Sequence, residues 1–382
     1  MKKTIALLLS AFVLTSAYAI KIVAGPYLQQ VDDNSAVVVW ATDVDGVSWV
    51  EIAPDDGSHF YAQERPKFFD SPMGKKQITK IHRIKVDGLE SGKKYFYRAF
   101  TKEVVGGKGE RVFYGDVAST RVYKATPPHI KTLEDGKESL QFTIVNDIHE
   151  DIKRLETFLS DIETDDFVVF NGDMLHNIRS HEQLYESCLV SATKLTKSSK
   201  LILFARGNHE TRGKASESYM SFFPTDTGKP YFAKKIGKFF FVFLDSGEDK
   251  PDSDIEYSDT ADFDKYRKNQ AEWLKKVMES DDYKNAYKRI VITHIPPHWG
   301  SWHGSINFKK YFSPVMKGKN IDVIFSGHQH GNYIHYKPNA DYDAPCLMNS
   351  NMEMIKVKVD KDKIVCDFYD VNLKKVRTTV IE

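Results

Sequence analysis

Cysteine is scarce in this chain, with only Cys188, Cys346 and Cys366 present. None belongs to a Cys-x-x-Cys pair, so a thiolate zinc site is not suggested, and the expected role of all three is as small buried residues. Charge of one sign is lacking as well. The formal net charge is +1, so bulk electrostatics give no case for a nucleic-acid or anionic-membrane partner. Long apolar runs are also missing: Ile5–Leu14 falls short of the roughly 20 residues needed to span a bilayer. That run follows Met1-Lys2-Lys3 and precedes Ala17-Tyr18-Ala19, which together read as a secretory leader over 1–19 cleaved after Ala19. With no Cys just after the cleavage site, a lipoprotein anchor is not indicated. The expectation is export, to a bacterial periplasm or the medium, with no membrane anchor after cleavage and an odd thiol left unpaired. Repeats and low-complexity segments are absent too, and oligomeric state leaves no trace.

What is present suffices for two domains. The 13% aromatic content argues against disorder, and 382 residues exceed one ordinary domain. Residues 20–124 carry short strand-like runs at Ala36–Trp40, Val47–Ile52, Lys80–Val86, Lys94–Phe100 and Arg111–Tyr114. Turn signals at Asp56-Gly57, Ser91-Gly92 and Gly106-Gly107 separate them, a pattern that predicts a fibronectin- or immunoglobulin-like β-sandwich without a disulfide. Residues 125–139, with Thr126-Pro127-Pro128, form the connector. From 140 to 382 strands alternate with helical spacing at Asp151–Asp161 and Phe263–Glu279, and strands return after Gly331. Glu248–Asp264 is acidic, contains Pro and has no period, so it reads as a surface loop.

Five apolar runs in this second part end on residues able to bind metals. Phe142–Val145 leads to Asp147 and His149, Phe167–Phe170 to Asp173, and Leu201–Ala205 to Asn208 and His209. Arg289–Ile292 leads to His294, and Ile321–Phe325 to His328 and His330. Uninterrupted apolar runs of this length predict strands buried on both faces, whose carboxyl edge is where α/β sheets bind ligands. Two Asp, one Asn and four of these five His suit a pair of divalent transition-metal ions such as Mn, Fe or Zn. Two ions about 3.5–4 Å apart need a shared donor, and the Asp173 carboxylate is the natural bridge.

Asp147-Ile148-His149, Gly172-Asp173, Gly207-Asn208-His209-Glu210, Thr293-His294 and Gly327-His328-Gln329-His330 closely resemble the ordered signature of the calcineurin-like metallophosphoesterases. The resemblance implies an α/β catalytic domain of four α/β/β/α layers. It also implies a site of Asp147, His149, His330 and Asp173, and a second of Asn208, His294 and His328 sharing Asp173. His209 is then a non-ligand that contacts the scissile phosphate together with Asn208 and helps the leaving group. Glu210 is expected to orient the His209 ring, and Arg212 to reach phosphate oxygens. Before this domain, Gly25-Pro26-Tyr27-Leu28-Gln29, Trp40, Gly88-Leu89 and Tyr95-Phe96-Tyr97-Arg98 resemble the N-terminal domain of purple acid phosphatases. Two departures narrow the reading. His149 and His176 stand where those enzymes carry Gly and the Tyr responsible for their colour, which argues against a purple Fe(III) centre. The stretch after Asp173 lacks the Val-Asp-Arg-Gly of the related protein phosphatases.

The loop Ile295–His303 holds Trp299, Trp302, His298 and His303, and reads either as a platform for an aromatic or sugar leaving group or as a Pro-stiffened packing element. The expected function is phosphomonoester hydrolysis by in-line attack of a metal-bridging hydroxide on a small phosphate ester. Phosphodiester hydrolysis at the same centre and a non-catalytic metal-containing binding module are the alternatives.

Overall fold

The computed structural model describes residues 19–121, 125–298, 300–331 and 333–382. The expected leader, apart from Ala19, and Trp299 therefore lie outside the described residues. No helix among those described is long and apolar enough to cross a membrane.

The five apolar runs are strands: Ser139–Val145, Phe167–Asn171, Leu201–Ala205, Lys288–Thr293 and Val323–Ser326. The first three lie parallel and adjacent in one sheet, with Phe142 and Leu201 both opposite Phe167. The last two lie parallel in a second, six-stranded sheet, Ile290 opposite Val323. The runs are apolar at every position because each has two faces to bury. Phe142, Phe167, Val169 and Leu203 point into the layer between the sheets, along with Phe241, Phe243, Ile290, Ile292 and Phe325 from the facing sheet. Val168, Phe170, Ile202 and Phe204 point the other way, onto Leu155, Phe158, Cys188 and Leu189 of the helical segments beside them. On the far side of the second sheet, Phe240, Val242, Val291 and Ile324 meet helices Phe263–Val277 and His303–Met316 through Leu274, Phe308 and Phe312. This alternation produces four layers, helix, sheet, sheet, helix. Each fully buried side chain of this kind contributes about 1.5–3 kcal/mol. All three cysteines are buried and free.

The helix expected at Asp151–Asp161 forms over Ile152–Phe158 and tightens into a 3-10 turn, Leu159–Asp161; Asp151 caps it by accepting from the Arg154 N–H at 3.0 Å. In the N-terminal part, Ala36–Trp40 and Val47–Ile52 prove to be one strand, Ala36–Pro54, bent where its register shifts between Ala41 and Gly46. Gly106-Gly107 is not a turn: the strand Lys94–Lys108 runs through it, and the chain reverses at Gly109 instead. The described strands of 22–119 hydrogen-bond in one continuous sheet with the first three apolar strands, because Ile22–Gln29 lies parallel to Leu201–Ala205. The connector 125–139 contains a strand, His129–Lys131, paired with Lys94–Lys108. Tyr27 and Tyr97 donate their hydroxyls across to Phe222 O (2.7 Å) and Ser198 O (2.6 Å) of the second part.

Candidate metal centre

All five apolar strands deliver their loops to one edge. There Asp147, His149, Asp173 and His328 adopt positive φ (50°, 48°, 54° and 74°), a conformation that non-glycine residues hold only when surrounding contacts impose it. Those contacts are backbone bonds between neighbouring loops: Asp147 N–H donates to Gly172 O, and His149 N–H to Asp173 O, each at 3.0 Å. Close approach excludes side chains at two positions. A Cβ on Gly172 would meet the His294 ring at 2.3 Å, and one on Gly207 would meet Asp173 Oδ1 at 2.2 Å.

Each carboxylate is anchored by one oxygen and presents the other. Asp147 Oδ2 accepts from His328 N (2.8 Å) and Asn146 Nδ2 (2.7 Å), leaving Oδ1 buried and without a hydrogen-bond partner. Asp173 Oδ1 accepts from His209 N at 3.0 Å, and Oδ2 lies 3.0 Å from His294 Nε2 and 3.9 Å from His149 Nε2. His294 donates Nδ1–H to Asn171 O at 2.8 Å, which turns its Nε2 inward. His328 Nδ1 lies 3.0 Å from Asn208 Oδ1.

This arrangement calls for positive charge. Burial alone would lower the His294 pKa, but the Asp173 and Asp147 carboxylates override it and push it up to about 10. Burial opposes the ionisation of Asp147 and Asp173, yet His294 holds both below the usual carboxylate range. Burial brings His149 down to about 4, and burial with the neighbouring His294 does the same to His328, so both rings are neutral at pH 7 with lone pairs available.

The donors fit metal ions. Asp147, His149 and His330 form one group of ligand atoms within 4.8 Å of one another, and Asp173, His294 and His328 form another. His149 Nε2 and His330 Nε2 sit only 2.8 Å apart, close to the roughly 3 Å expected of two nitrogens sharing one ion at about 2.0–2.1 Å. Asp173 Oδ2 faces both groups, as a bridge requires. A third group, His149, His176 and His209, reuses His149.

The remaining predicted residues divide. His209 stands beside the ligands with Nε2 3.9 Å from Asp173 Oδ2, and its Nδ1–H donates to His176 O at 2.8 Å. Glu210 does not orient that ring. It is buried, and its carboxylate accepts from the backbone N–H groups of Asp173 (2.9 Å), Gly207 (3.0 Å) and Leu175 (3.1 Å), tying two ligand loops together. The short 3-10 turn His209–Thr211 turns the two neighbouring side chains in different directions. Arg212 lines the cleft, but its fork is engaged by Glu248 at 2.6 and 2.7 Å instead of standing free for phosphate. Trp302 is half exposed at the rim (52%). His298 and His303 do not join it: His298 packs on Tyr342 (4.9 Å between ring centres), and His303 binds Asp264 at 2.7 Å.

Asp173, Asn208, His209, His328 and His330 border an open cleft of about 490 Å³ together with Arg212 and Trp302, and none of the described residues of 19–121 lines it. Sequence reasoning missed two neighbours. Glu248 and Asp249, read as part of a surface loop, are buried, and Asp249 faces the cleft. Burial and the adjacent Glu248 push Asp249 up to about 7. A spacing signal was absent, but two acids directly following the strand Phe239–Leu244 and its Asp245-Ser246-Gly247 turn repeat the strand-then-ligand pattern of the other five runs. A second cleft, about 280 Å³, opens at the strands' opposite ends, where Lys137 pairs with Asp166.

Comparison with known proteins agrees with this geometry. The model of a family described as calcineurin-like phosphoesterase matches residues 140–332, the stretch that holds every candidate ligand. Purple acid phosphatase 21 of Arabidopsis thaliana is 24% identical over 287 residues. That alignment takes in 70% of this chain and 56% of the relative, so the chain spans little more than half the relative's length. Among solved structures, the purple acid phosphatase PPD1 from yellow lupin (Lupinus luteus) superposes with a TM-score of 0.65 at 15% identity, over 95% of this chain and 74% of that one. At that identity the likeness is one of fold, and it extends through the N-terminal part.

Proposed function

Since the chain belongs to the calcineurin-like phosphoesterase family, we propose that it is an exported hydrolase of phosphomonoesters working with two divalent transition-metal ions. One observation carries this reading: two groups of donors converge on Asp173 Oδ2, with the His209 ring alongside but bonded through Nδ1 to a backbone carbonyl. Asp147, His149 and His330 would hold one ion and Asn208, His294 and His328 the other, with Asp173 between them. When bound, the ions supply Lewis acidity, activating a water and screening charge on the phosphoryl oxygens.

The chain's own contribution is positioning and proton handling. His176 O keeps a proton on His209 Nδ1, so Nε2 is the nitrogen that faces the cleft, and the doubly protonated ring would donate its Nε2 proton to the departing ester oxygen. Trp302 offers an exposed aromatic face at the rim against which an apolar or aromatic leaving group packs. Export rests on the leader-like segment 1–19.

The test pairs elemental analysis of the purified chain with turnover of p-nitrophenyl phosphate and bis-p-nitrophenyl phosphate. Two ions per chain and monoester hydrolysis are expected, and His209→Ala should keep both ions while losing about 10²–10⁴ in turnover. Turnover of the diester alone would replace the substrate class. A metal-replete protein inert toward both esters, or an unimpaired His209→Ala variant, would overturn the reading.

A further inference from the structure

Resting on the two-ion reading, the geometry points to Asp249 as the carboxylate partner of His328, a positioning residue for the ion held by Asn208, His294 and His328. The His328 ring is directed at both ends. Nδ1 faces Asn208 Oδ1 at 3.0 Å, and Nε2 faces Asp249 Oδ2 at 3.8 Å, an ion-pair distance and not a hydrogen bond. The Asp249 side chain is 5% exposed, and its Oδ1 is buried with no hydrogen-bond partner.

The fold holds this carboxylate in place from behind. Gly304 N–H donates to Asp249 O at 2.8 Å, and the buried Arg267 donates to Glu248 O. A Cβ on Gly304 would meet Glu248 O at 2.5 Å and Asp249 Cα at 2.7 Å, so the helix His303–Met316 approaches this turn only because that residue is glycine.

A buried carboxylate beside a second buried carboxylate is costly unless positive charge compensates it. Arg212 Nη2 lies 3.6 Å from Asp249 Oδ1, but its hydrogen bonds go to Glu248. Lys250 also lines the cleft but pairs with Glu256 at 2.5 Å, which leaves His328. An imidazole that gives its Nδ1 lone pair to a cation keeps its proton on Nε2 and shares the positive charge, which places a polarised N–H opposite Asp249. Carboxylate–histidine–metal arrangements of this type change ion affinity by about 10–100-fold. Asp249 is thus matched when the ion is in place and unmatched when it is not.

The experiment strips wild type, Asp249→Asn and Asp249→Glu of metal and titrates each with Mn(II), following free Mn(II) by electron paramagnetic resonance. Wild type should hold two ions. Asp249→Asn should weaken one of the two affinities about 10–100-fold and leave the other unchanged, and Asp249→Glu should recover part of the loss. The metal-free Asn variant should melt no lower than metal-free wild type, since only the loaded site uses the charge. Two unchanged affinities, or a metal-free Asn variant that melts well below wild type, would overturn the assignment. Wild type holding fewer than two ions would instead overturn the two-ion reading itself.

Discussion

Acid should unfasten the N-terminal part through a single histidine. His82 is 2% exposed and sits in a directional chain of hydrogen bonds. Trp40 Nε1–H donates to Thr101 Oγ1 (2.8 Å), which lies 2.8 Å from Ser48 Oγ; Ser48 Oγ is 2.7 Å from His82 Nδ1. On the other side His82 Nε2 is 2.8 Å from Thr42 Oγ1, whose own proton goes to Val44 O at 2.8 Å. Thr42 can therefore only accept from Nε2–H, and Nδ1 must accept from Ser48. Every proton is then used once, and only the neutral ring fits. Burial lowers the His82 pKa from 6.5 to about 3. Because the folded-state value is depressed, the unfolded chain takes up a proton that the native one refuses. Stability from this group is complete above pH 6.5 and falls by about 1.4 kcal/mol per unit below it, ending only near the folded value. Between about pH 8 and about pH 5 the loss comes to about 2 kcal/mol. Urea unfolding of the chelator-treated protein, followed by Trp fluorescence, measures it. His82→Gln should start lower at pH 8, having lost ring-specific bonds, yet lose about 2 kcal/mol less than wild type on acidification. Carboxylates titrate equally in both proteins and cancel. Parallel losses in the two would refute the reasoning.

Two further outcomes follow from the metal edge. Gly207→Ala would place a Cβ 2.2 Å from Asp173 Oδ1 and 2.4 Å from Asp173 N, so Asp173 must shift. An overpacking cost of about 1–3 kcal/mol and loss of at least one bound ion are expected, checked by thermal melting and elemental analysis. Glu210→Gln removes an acceptor from one of three backbone N–H groups and should weaken metal retention while leaving the pH dependence of residual turnover in place. A displaced pH–rate profile would return Glu210 to the role of orienting His209.

The sequence-level reading and the structure part where neighbours along the chain differ from neighbours in space. Glu210 adjoins His209 in sequence, but a single 3-10 turn sends its carboxylate to the backbone of two other loops. Arg212 has the right side chain for phosphate, but Glu248, 36 residues on, occupies its fork. Glu248 and Asp249 carried no periodic signal, since their burial comes from Arg267 and Gly304 on two different helices. Ala36–Trp40 and Val47–Ile52 are strand-like as expected, while their continuity depends on pairing with four other strands.

The sequence by itself determined the strands and marked the candidate ligands at their ends. A strand buried on both faces must be apolar at every position, and a ligand loop at its carboxyl end needs its polar residues locally, so both patterns are written within a few consecutive residues. Only the tertiary structure decided which oxygen of each aspartate stays available, which way each imidazole points, and which acid stands behind His328. Those outcomes depend on hydrogen bonds between loops up to 181 residues apart, such as His328 N–H to Asp147 Oδ2, and no local pattern encodes a partner at that distance.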